Sequence, residues 1–163
     1  MHVVDAPLGL VNVLTVLCAL VSLWVALPEK RGGAIQIRAL ALSAMFAGVV
    51  ALVLLAGVFE ATLAHDAEWA GALVAGAVIG RARGWSLPAD ILLPGGGPRL
   101  RARWDSVFVP AGIAAAAIVD FTSAALEQPV IHPVHVAAAA AFCAGFLGNR
   151  ALAILVRLER AMH

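Results

Sequence analysis

Histidines and carboxylates occupy the segments between the apolar runs of this chain, and these side chains are the best suited to chemistry. His132 and His135 stand three residues apart in the sequence His-Pro-Val-His, and His65 lies in an earlier connection of the same kind. Imidazole and carboxylate groups together bind zinc, copper or iron. The sequence therefore predicts a metal site at His132, His135 and His65. The alternative is that these polar side chains are merely solvated at a water interface.

Asp120 is an acidic residue inside an apolar run, where a charge is costly and marks a functional site by default. It stands about 13 residues into the fourth run, roughly 20 Å along a helix. It shares a line of four-residue spacing with Gly112 and Ala116, so it is expected to face a neighbouring helix rather than lipid. Two interpretations stay open: a hydrogen bond at a helix crossing, or a protonatable group on an ion or substrate path.

Small residues recur every four positions in two of the apolar runs. The lines are Ala72, Gly76 and Gly80 in the third run, and Ala141 and Gly145 in the last. Small side chains at this spacing let two helix backbones approach closely in lipid. These five residues are therefore predicted to be helix contacts.

The elements that must hold these residues are helices long enough to cross a bilayer. The chain is 63% hydrophobic and 13% charged, with a mean hydropathy of +0.97, whereas soluble domains carry about a quarter charged residues. We predict an all-α, polytopic transmembrane bundle that forms one domain over residues 1–163. Five spans are expected, at residues 8–27, 39–59, 69–85, 107–126 and 134–156.

The basic residues indicate how such a bundle would face. All eleven lysines and arginines fall in three stretches, and these alternate with connections that carry acids and histidines instead. By the positive-inside rule, this pattern predicts a multi-pass membrane protein with its N-terminus outside and its C-terminus in the cytoplasm. The first ten residues lack a positive n-region, so the first run is expected to be a retained helix rather than a cleaved signal.

Arginines beside the predicted spans are expected to contact anionic lipid headgroups rather than nucleic acid. They are Arg81, Arg83, Arg99, Arg101 and Arg103. From Arg99 to Trp104 basic and apolar residues alternate, which is typical of a half-buried strand. A short cytoplasmic β-hairpin is therefore predicted between spans three and four, with a disordered Gly-Pro loop as the alternative.

Three features of the second half carry a family resemblance. They are Gly-x-x-x-Gly-Arg at 76–81, Trp104 just before the fourth span, and Gly-x-x-Gly-Asn-Arg at 145–150. In these features the segment 69–160 resembles small bacterial inner-membrane proteins, nearest to the CcdC-like proteins. The resemblance implies a multi-pass fold in the inner membrane of a bacterium, and it brings no catalytic residues with it.

The sequence favours a non-enzymatic role, because no nucleophile elbow, phosphate-binding loop or HExxH motif occurs in it. The first hypothesis is a subunit or accessory factor of a larger membrane assembly, whose partners are other membrane subunits or further copies of the chain. The alternative is a small transporter or metal-handling protein that uses Asp120 and the outward-facing histidines. The residues do not identify a cofactor.

Overall fold

The computed structural model of the chain describes residues 9–27, 34–57, 62–86, 99–101 and 105–162. Within these residues the chain forms five helices and two short strands. The helices are α1 (Leu10–Ala26), α2 (Ile37–Ala56), α3 (Leu63–Ser86), α4 (Asp105–Leu126) and α5 (Pro133–Met162). The prediction of an all-α chain is confirmed.

Three of these helices are long and apolar enough to cross a membrane. Their candidate spans are Arg38–Ala56, Ser106–Leu126 and Pro133–Arg160. Helix α1 is apolar but has only 17 residues, and α3 has 24 residues with charged side chains in its first and last turns. The helices therefore agree with a membrane protein, whereas the predicted count of five spans is not shown.

Helix α3 begins six residues before the span predicted from hydropathy, 69–85. The backbone N–H groups of His65 and Asp66 donate to the carbonyl oxygen of Thr62, at 2.9 and 3.1 Å. The Thr62 hydroxyl oxygen also accepts a 3.4 Å bond from the His65 N–H, and Asp66 in the first turn is favourable to the helix dipole. Polar residues therefore stabilise the start of α3. A span predicted from hydropathy alone does not include them.

Helices that follow one another in the chain run in opposite directions. Near the end of α1, the Ser22 hydroxyl donates to the carbonyl oxygen of Ser43 near the start of α2, at 2.9 Å. Leu40, at the start of α2, packs in one cluster with Leu158 near the end of α5. Helix α2 is therefore antiparallel to both α1 and α5.

Helix α5 lies at the centre of the bundle, where it packs against α2, α3 and α4. Its contact with α4 is antiparallel, because Arg150 late in α5 donates to the Ser106 hydroxyl at the start of α4, at 2.8 Å. Arg150 is only 3% exposed. Among the described helices and strands, α5 and α3 make the most extensive contact.

The core consists mainly of small side chains, while many large apolar side chains point outward. Fully or almost fully buried alanines include Ala19, Ala47, Ala117, Ala140 and Ala141. Exposed large side chains include Leu10, Trp24, Met45, Leu52, Phe108 and Leu152. Small residues between helices and large apolar residues outside are the arrangement that lipid favours, because close packing drives helix association there.

A short antiparallel strand pair replaces the predicted hairpin. Strand β2 (Arg99–Arg101) pairs with β1 (Ala34–Gln36), with Leu100 opposite Ile35. The alternating segment therefore contributes a strand, but its partner comes from the connection between α1 and α2, so the local hairpin prediction was wrong. The alternation of basic and apolar residues marks an extended segment without identifying the strand beside it. Residues 102–104, including Arg103, lie outside the described part of the chain.

Candidate functional site

Helices α3 and α5 touch backbone to backbone along the predicted line of small residues. A methyl group added at Gly76 would collide with the carbonyl oxygen of Phe142, and one at Gly80 with that of Phe146. Both glycines are buried, whereas Ala72, at the start of the same line, is half-buried. The two helices run parallel, since equal steps along α3 meet equal steps along α5.

The contact also interlocks from the side of α5. A methyl group added at Gly145 would collide with the carbonyl oxygen of Leu73 and lie 3.1 Å from the backbone nitrogen of Ala77. Ala141, one turn earlier, is 0% exposed. Each helix therefore presents glycine to the backbone of the other.

Gly84 extends this contact by one more turn, although it was not among the residues predicted from the sequence. An added methyl group there would lie 2.7 Å from the Ala153 Cβ and 2.9 Å from the carbonyl oxygen of Arg150. The four-residue spacing from Gly76 through Gly80 continues to Gly84 and could have identified it. Because Arg81 and Arg83 stand beside Gly84, the sequence instead predicts that this segment lies among the lipid headgroups.

The three histidines of the predicted metal site come together where the first turns of α3 and α5 meet. The ring centroids of His65 and His132 are 6.1 Å apart, and those of His132 and His135 are 5.8 Å apart. The parallel packing of the two helices produces this proximity, because it places both helix starts at the same end of the bundle.

Glu68 joins this histidine cluster from α3. The Nδ1 atom of His135 lies 2.7 Å from the Glu68 Oε1, and the two side chains are 64% and 41% exposed. Nowhere in the described ranges do three or more His, Cys, Asp or Glu side chains form an arrangement that could hold a metal ion. The histidine rings lie near one another, but their placement does not form a metal-binding arrangement, and the metal site stays a prediction.

Asp120 lies half-buried in the last third of α4 and faces α1. The Asn12 amide donates to the Asp120 Oδ2 at 3.5 Å. Asn12 is in the first turn of α1, so the contact also shows that α1 and α4 are antiparallel. The other polar side chains nearby, Thr122 and Ser123, donate to carbonyl oxygens one turn back in α4. Chemically, this pair can hold α1 and α4 together through a hydrogen bond between helices.

The arginines assigned to lipid headgroups are found in two places. Arg81 is exposed and Arg83 half-buried in the last turns of α3, while Arg99 and Arg101 belong to β2. Arg157 of α5, which was not among the predicted residues, reaches the end of α3 and donates from Nη1 to the carbonyl oxygen of Gly84 at 3.0 Å. Only the parallel register of α3 and α5 brings that side chain there.

The chain was also compared with protein-family models, with curated proteins and with solved structures, and none of these comparisons found a match. The similarity to CcdC-like proteins stays a prediction from sequence motifs.

Proposed function

We propose that this chain is a non-enzymatic, multi-pass membrane protein that acts through helix packing, as a subunit or accessory factor of a larger membrane assembly. The observation that carries the proposal is the glycine-lined backbone contact between α3 and α5. Such contacts hold helices at fixed positions in lipid. A rigid helix pair suits a protein whose task is to present a surface to other subunits.

The polar groups inside the bundle support the same role. Ser22 donates to Ser43 across α1 and α2, and Asn12 donates to Asp120 across α1 and α4. Arg150, buried between α4 and α5, donates to Ser106. Each of these side chains joins two helices, as expected where polar groups serve to hold a bundle together.

We further propose that all five helices cross the bilayer. Helix α3 has 24 residues, about 36 Å, which exceeds the hydrocarbon thickness of about 30 Å. It lies in register beside α5, a candidate span, from the contact at Gly76 to that at Gly84. Because consecutive helices run in opposite directions, five crossings would place the N-terminus and the C-terminus on opposite sides of the membrane.

Localisation follows from that arrangement and from the distribution of charge. Arg81 and Arg83 stand in the last turns of α3 and Arg157 and Arg160 in the last turns of α5, at the same end of the bundle. The histidine cluster lies at the opposite end. The positive-inside rule then supports an N-terminus outside and a C-terminus in the cytoplasm. The inner membrane of a bacterium is proposed from the resemblance of residues 69–160 to small bacterial inner-membrane proteins.

The proposed role can be tested by the native mass of the protein taken directly from its own membrane. We expect the 16.7 kDa chain to elute in a particle that contains further polypeptides in a fixed ratio, either copies of itself or other subunits. Native mass spectrometry of membrane patches solubilised without lipid exchange gives this ratio. A single copy as the only polypeptide, at every protein concentration, would contradict the role.

A small transporter or metal-handling protein is the alternative, and two observations favour it. Asp120 is an acidic group inside a candidate span, and three imidazoles meet at one end of the bundle. In this alternative Asp120 would carry a proton or cation, and the histidine cluster would bind a cation before it enters.

Substitutions at Asp120 separate the two functions. Asp120→Asn keeps the size and most of the hydrogen-bonding capacity of the side chain but removes its titratable charge. If Asp120 only joins α4 to α1, the asparagine variant should assemble normally, and Asp120→Leu should lose about 1 kcal/mol of unfolding free energy. Unfolding in detergent and complementation of a deletion strain measure the two effects. An asparagine variant that folds and assembles but fails to complement would favour the transporter.

A further inference from the structure

We draw no further inference here: the strongest candidate, the exposed face of α3 that carries Gly71, Ala75, Val78 and Ala82, is a line of small and apolar side chains, and nothing in the described part of the structure shows what covers it.

Discussion

Replacing Gly76 by leucine is expected to force α3 away from α5 and to destabilise the protein strongly. Any side chain at this position meets the carbonyl oxygen of Phe142. Backbone atoms cannot rotate aside as a flexible side chain can, so we expect a loss of about 3 kcal/mol, the upper range for overpacking. Thermal unfolding in detergent, followed by circular dichroism, measures the loss.

Gly71→Leu is the matched control for this prediction. Gly71 is on the same helix, and no atom lies within 4 Å of an added methyl group there. Both substitutions gain the same helix propensity, about 1 kcal/mol, so their difference isolates the packing cost. The same comparison on α5 pairs Gly145, which meets the backbone of Leu73, with Gly148, which has open space. Equal unfolding temperatures within each pair would contradict a packing role for the glycine contact.

The spacing of small residues predicted more of the candidate site than any other sequence feature, because it identified the face of α3 that contacts α5. A period of four puts Gly76 and Gly80 on one helix face, whatever the rest of the chain does. The structure places that face against Phe142 and Phe146 of α5. Whether a segment is helical, and which face carries its small residues, depends on residues close together in the chain. These properties can therefore be predicted from the sequence.

Partners across helices could not be predicted in the same way. Asp120 and Asn12 are 108 residues apart in the chain, and His135 and Glu68 are 67 apart. Which helices become neighbours, and how each is rotated, depends on packing between whole helices rather than on the residues around each polar group. For the same reason, the alternation over 99–104 predicted an extended segment, of which 99–101 is described as a strand, but not its partner at 34–36.

Reporter fusions should give an all-or-none result for the orientation of the chain. A phosphatase fused after Asp66 is expected to be active, because α1 and α2 would return the chain to the outside. A fluorescent protein fused after His163 is expected to fluoresce in the cytoplasm, because the arginines at the ends of α3 and α5 keep those ends inside. The control at each position is the other reporter, which should be inactive there: a fluorescent protein after Asp66 and a phosphatase after His163. Exchanged results at either position would mean that the proposed orientation is wrong.

A fusion after Pro94 tests the central claim most directly, because it follows α3 and precedes α4. Helix α3 is not among the helices long and apolar enough to qualify as candidate spans, whereas the proposed arrangement has it cross the bilayer beside α5. We predict a fluorescent, cytoplasmic reporter at this position and no phosphatase activity. An active phosphatase after Pro94 would show that α3 does not cross and would contradict a parallel α3–α5 pair as the centre of the membrane domain.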